Sequence, residues 1–142
     1  EAERVAPLVV AAGIEVGARW EQSIELLRYD VVPLSDGRLA VDLYWRAGQT
    51  LGKDYTVFVH VLEDGILRAQ HDGPAAGGYY GTNRWRPGDV VRDRHVLEIT
   101  GPVVGREYEI RVGLYWWETM EHLAPLSADG VPLQDTARAL PR

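Results

Sequence analysis

Residues 107–117 read EYEIRVGLYWW, and Tyr108, Ile110, Val112, Leu114 and Trp116 recur at every second position. A period of two puts alternate side chains on one face of an extended chain, so this run is a β-strand with one apolar face. The same period recurs upstream. In RLAVDLYWRAG, Leu39, Val41, Leu43 and Trp45 share a face, with Arg38, Asp42, Tyr44 and Arg46 opposite; this reads as a half-buried antiparallel strand. In DYTVFVHVLED, Tyr55, Val57, Val59 and Val61 alternate with Thr56, Phe58, His60 and Leu62, and two largely apolar faces predict a central strand. Asp64-Gly65 is a hairpin signal that pairs this strand with ILRAQHD.

Glu21–Val32 (EQSIELLRYDVV) is the first strand by pattern, and its apolar phase slips by one residue between Leu26 and Leu27, which predicts a β-bulge or a crossing between sheets. VVRDRHVLEIT, after a type II turn at Pro87-Gly88, puts Val91, His95, Leu97 and Ile99 inward. The tail has a turn at Asp129-Gly130 and short edge strands, because proline is tolerated there. No segment sustains a helical period. The fold class is therefore all-β: a two-sheet antiparallel β-sandwich of about 7–8 strands, Greek-key (immunoglobulin-like) or jelly-roll-like, with a barrel as the alternative. Residues 1–142 form a single β-sandwich domain, in which 1–19 are an N-terminal lead-in, either an edge strand or a linker. The Gly105, Tyr108, Ile110 and Val112 spacing matches a tyrosine corner.

The chain has 142 residues, a net charge of −6 and no cysteine. That length is enough to bury a full core. The acidic balance argues against a nucleic-acid partner, and without cysteine there is neither a disulfide nor thiolate chemistry. No window is apolar enough to cross a bilayer, so no membrane insertion by this segment is expected. The opening EAERVAPL has no leader pattern and reads as a mature form or an excised fragment.

Residues 70–85, QHDGPAAGGYYGTNRW, form the longest irregular stretch. Its glycines and Pro74 are turn chemistry. Asp72 is expected to cap the loop and Trp85 to anchor its end, which leaves Tyr79 and Tyr80 as the residues least explained by folding.

Catalytic candidates are few. Ser23, Ser35 and Ser127 lack a nucleophile elbow. His60, His71, His95 and His122 form no metal-ligand spacing, so no metal and no cofactor is assigned. His60 and His95 read as packed or surface histidines. Asp72, Asp89, Asp93 and Glu98 are the carboxylates that a glycosidase pair would need, and they read as solvated strand-face residues. Asp72, Asn83 and Asp89 are the oxygen donors that a loop-stapling calcium ion would use. Five tryptophans and seven tyrosines against one phenylalanine favour half-wet aromatic surfaces. Trp45 and Trp116 read as core. Trp117 follows Trp116 directly and points the other way, so one of the two must meet solvent, a loop or a partner. The candidate ligand-binding residues are Tyr79, Tyr80, Trp117, Asp72 and Asn83.

Taken together, LYWRAG, LGKDYTVFVHVLEDG, AQHDGPAAGGYYGTNRWRPGDVV and YEIRVGLYW resemble a β-sandwich domain at the C-terminal, extracytoplasmic end of bacterial polytopic membrane glycosyltransferase-like proteins of the dolichyl-phosphate-mannose mannosyltransferase type. The resemblance covers roughly residues 20 to 126 and is carried most fully by Asp72, Pro74, Gly78, Tyr79 or Tyr80, Thr82, Trp85, Pro87, Gly88, Asp89 and Val91. Trp116-Trp117 and Met120–Leu123 depart from that pattern and bear on the last hairpin. The resemblance implies an extracytoplasmic location and no catalytic residues in this domain. The expected function is a non-catalytic accessory domain that binds or positions a glycan or a partner, such as another part of a longer membrane protein. A purely structural or assembly domain and a carboxylate-dependent glycoside hydrolase are the alternatives.

Overall fold

The computed structural model describes residues 13–99 and 107–141, together with the backbone of residues 4–5. Gly105 and the connector 100–106 lie outside the described residues, as does most of the apolar run that begins at Val5. Eleven strands are described: β1 (Arg4–Val5), β2 (Ile14–Trp20), β3 (Ile24–Pro33), β4 (Leu39–Ala47), β5 (Thr56–Glu63), β6 (Ile66–Pro74), β7 (Val90–Leu97), β8 (Glu109–Trp116), β9 (Glu121–His122), β10 (Pro125–Leu126) and β11 (Arg138–Ala139). Those from β2 to β8 are seven to ten residues long and the other four have two each. The helical elements among the described residues are short 3-10 turns.

The strands make two antiparallel sheets. One has the order β1-β7-β4-β3-β2-β10 and the other β11-β8-β5-β6, with β9 added to β8. The chain passes between sheets at β4–β5, β6–β7, β7–β8, β9–β10 and β10–β11, so the architecture is an all-β two-sheet antiparallel sandwich. Its core is the inward row of each strand. Leu39, Val41, Leu43 and Trp45 of β4 face Val57, Val59 and Val61 of β5 and Ile110, Val112 and Leu114 of β8, all buried. Burying one such aliphatic side chain contributes roughly 2 kcal/mol. Trp45 is the hub of three buried indoles, 5.3 Å from Trp20 and 6.3 Å from Trp85 between ring centroids. Tyr108 is half-buried against this core.

The phase slip in the first predicted strand is a bulge. The β3–β4 register shifts between Leu26 and Arg28, leaving Leu27 as the extra residue. Asp64 and Gly65 reverse the chain with φ of 52° and 77°. Gly88, with φ of 88°, follows Pro87 in a turn closed by the bond from Asp89 N–H to Arg86 O. That is the expected type II geometry.

Three expectations need correction. Residues 14–19 of the lead-in, read as an edge strand or a linker, belong to the strand Ile14–Trp20, which lies inside the first sheet between β3 and β10. Glu21–Ser23, read as the start of a strand, is a 3-10 turn in which Gln22 and Ser23 adopt φ of 68° and 60°. The supposedly wet face of β4 is closed over, with Asp42 and Tyr44 buried. Arg94 on the neighbouring strand grips Asp42 with two hydrogen bonds of 2.7 and 2.9 Å, which compensates the buried carboxylate.

Candidate functional site at the loop end

Four connections gather at one end of the sandwich: residues 21–23, 48–55, 75–89 and 117–120. The register brings them there, since Trp20 pairs with Ile24, Arg46 with Val90, and Thr56 with both Pro74 and Tyr115. Thr82 locks two of the loops together. Its buried hydroxyl donates to Lys53 O at 2.6 Å and accepts from Tyr55 N–H at 2.8 Å, while its own N–H donates to Asp54 Oδ1 at 3.2 Å. Gly81 lets the backbone pass against the Asp54 carboxylate, where a Cβ would collide. Trp85, buried, donates its indole N–H to Tyr80 O at 2.8 Å and anchors the loop as expected.

This end exposes aromatic surface. Tyr79 is 66% exposed and Trp117 59% exposed. Trp117 lies 5.7 Å from the half-buried Trp116, which carries the Lys53 ammonium 5.4 Å above its ring and meets the edge of Tyr55 at 6.5 Å. Burial first, and then the Glu21 carboxylate, push the Tyr55 phenol up, so this ring stays a neutral hydrogen-bonding group. On the Glu21 side opens a groove of about 780 Å³. Arg19, Glu25 and Arg46 give its polar wall, Trp20 and Leu126 its apolar one, and Gly88 part of its rim. Arg46 and Glu25 pair at 2.8 Å along it.

The five predicted ligand-binding residues do not all belong here. Tyr79 and Trp117 do, and Asn83 is exposed on the same loop. Tyr80 is buried at 6% exposure and belongs to the core. Three successive left-handed residues, Ala76, Gly77 and Gly78 with φ of 54°, 62° and 89°, redirect the chain so that the second tyrosine turns inward. Asp72 lies on the outer face of the second sheet, where it accepts the Tyr115 hydroxyl at 2.8 Å rather than capping the loop. Burial and this bond raise the Tyr115 phenol.

Sequence reasoning missed a buried polar chain. Asp93, read as a solvated carboxylate, is fully buried. Its Oδ2 receives the Trp45 indole N–H at 3.1 Å and lies 2.7 Å from His95 Nε2; its Oδ1 receives the Ala76 N–H at 2.8 Å. His95 then meets His71 across the sheets, Nδ1 to Nδ1, at 2.8 Å. The signal was available in sequence, because Asp93 has the parity of Val91, His95 and Leu97. No serine hydroxyl bonds to either ring among the described residues, and no group of three or more His, Cys, Asp or Glu is placed there to hold a metal ion.

Burial lowers the pKa of His71, aided by His95 and opposed by Asp93 and Asp72; burial also lowers that of His60. The folded chain therefore binds these protons less readily than the unfolded chain, whose histidines titrate near 6.5. Their contribution to stability is complete above that pH and declines as pH falls through 6.5 to the lowered folded values. The expected result is a lower urea midpoint at pH 5.5 than at pH 7.5; equal midpoints would contradict it.

Compared with known proteins, the chain matches no family model, no curated protein and no solved structure.

Proposed function

We propose that this domain is a non-catalytic binding module that takes a glycan at its loop end, as an extracytoplasmic accessory domain of a membrane glycosyltransferase-like protein. The observation that carries the reading is the exposed Trp117, 5.7 Å from a Trp116 ring that carries Lys53 above it, at an end that also holds a groove edged by an arginine–carboxylate pair. A flat indole packs against the C–H face of a sugar ring, and fixed guanidinium and carboxylate groups bond its hydroxyls. Asp93 and Asp72 are committed to internal donors, which supports a binding role over hydrolysis. The accessory role rests on the resemblance over residues 20–126.

Titration of the domain with neutral oligosaccharides, followed by amide and indole chemical shifts, tests the reading. Shifts are expected at Trp117, Lys53 and Tyr79, and Trp117→Ala should weaken binding about tenfold, the equivalent of one aromatic stacking contact. Absence of any shift at millimolar sugar would overturn the glycan reading. If Trp117→Ala instead disrupts association with a further segment of a longer chain, the exposed rim of Tyr79, Trp117 and Met120 serves assembly.

A further inference from the structure

Within the sandwich two imidazoles meet nitrogen to nitrogen, and the number of protons they hold decides whether they can stay together. His71 is on β6, the edge strand of its sheet, and His95 is on β7 of the other sheet. Gly73 makes room for the His71 ring; a Cβ there would stand 3.2 Å from His71 Cε1. Beyond His95, Asp93 receives three donors, from Trp45, Ala76 and His95. The Trp45 indole and the Ala76 amide can only donate, so both Asp93 oxygens act as acceptors, and His95 Nε2 carries the hydrogen toward Oδ2.

That assignment leaves His95 Nδ1 to be matched against His71 Nδ1. When both rings are neutral, His71 Nδ1–H donates to the bare His95 Nδ1. With one added proton a single hydrogen still lies between the two nitrogens, and the imidazolium is compensated by Asp93. A second added proton puts a hydrogen on each Nδ1, so two donors and two like charges face each other at 2.8 Å. That arrangement cannot persist.

Among the described residues, Asp93 is the one carboxylate that bonds to the imidazole pair, and Asp72 acts on His71 through space only. From β7 come Asp93 and His95, while the Arg94 side chain between them bonds to Asp42. From β6 comes Asp72, whose carboxylate is engaged by Tyr115. On β5 the residue opposite His71 is Val59; on β4, Val41 and Leu43 stand opposite His95 and Asp93, and Trp45 contributes a neutral N–H. The turn at 75–78 contributes the Ala76 N–H and no charged side chain.

We propose that the His71–His95 contact is a one-proton latch: it ties the β6 edge to β7 and fixes the base of the 75–89 loop, and uptake of a second proton opens it in acid. The loop is prepared to respond. Ala76, a non-glycine residue at φ of 54°, is held in place by the same carboxylate that terminates the latch, and left-handed geometry is strained for such a residue. When the imidazole pair parts, β6 loses its polar tie to the other sheet and the turn leading to Tyr79 is free to relax. The latch stands on its own geometry, independent of what the loop end binds.

The test is a pH titration of the unmodified domain, with no added ligand, read by long-range nitrogen–proton spectra of the imidazoles and by amide hydrogen exchange. At pH 7.5 one shared hydrogen between the two Nδ1 atoms is expected, and on acidification two separate protonation steps. Only the second step should speed exchange at residues 75–80, by about tenfold relative to β4 and β8 amides in the same sample. In His71→Gln one donor remains whatever the pH, so the acid-induced step in loop exchange should disappear. Independent titration of both rings without loop response overturns the latch, as does global loss of protection in the same step. Should the variant fail to fold, the wild-type titration alone decides.

Discussion

Asp93→Ala is expected to cost about 4 kcal/mol of stability, enough to leave a domain of ordinary stability marginal. Removing the carboxylate strands three buried donors at once: the Trp45 indole N–H, the Ala76 amide and the His95 Nε2–H. Each loses its acceptor where water cannot replace it, since Trp45, Asp93 and His95 are all at or below 1% exposure. The damage spans two neighbouring strands of the first sheet and the loop, because those donors belong to β4, the 75–78 turn and β7. Asp93→Asn separates charge from shape: it keeps an acceptor but presents an NH₂ to groups that are themselves donors, so it should recover only part of the loss. Urea denaturation of the two variants checks this. A loss below about 1 kcal/mol for the alanine variant would mean that the buried network contributes little.

Trp85→Ala should cost a similar amount, about 4 kcal/mol, through cavity formation. The indole is 2% exposed and packs 6.3 Å from Trp45, so its removal leaves a hole next to the hub of the core. It also frees Tyr80 O, the acceptor that closes the loop on itself. Trp85→Phe should fill most of the cavity while leaving that carbonyl unmatched, and so fall between wild type and alanine. Thermal unfolding measures the order, and Trp85→Ala no less stable than Trp85→Phe would refute the packing argument.

The strands were legible where two properties coincided: period-two alternation and a turn residue at each end. β4 and β5 satisfy both, whereas β8 has the alternation but is followed by Trp117–Met120, which holds no turn residue. The bulge at Leu27 was visible because an extra residue shifts the apolar phase, and phase is a property of sequence. β2 was hidden because IEVGARW is short and interrupted by Gly17, which takes φ of 66° where the β2–β3 register shifts. Asp93 was hidden for an energetic reason. A lone carboxylate on an apolar face is expensive to bury, and the groups that offset this one lie 48, 17 and 2 residues away in sequence, at Trp45, Ala76 and His95. Trp117 is exposed, but β8 ends at Trp116 and the two rings lie 5.7 Å apart rather than on opposite faces, so the expected parity does not extend to it; the inward turn of Tyr80 follows from left-handed angles at Ala76–Gly78 that no single residue type dictates.

The edge strand β6 bears on how readily another strand could add to this domain. Among the described residues no strand pairs with the outer side of the nine-residue β6, and such a margin would ordinarily invite another strand to dock. Here the β5–β6 register shifts between Val61 and Leu62, so that Arg68 bulges out of the ladder and pairs with Glu63. At the other end, Pro74 lacks an N–H to offer. An incoming chain would meet a bent, charged margin with one donor missing, so the open side of the second sheet is a poor seed for edge-to-edge aggregation.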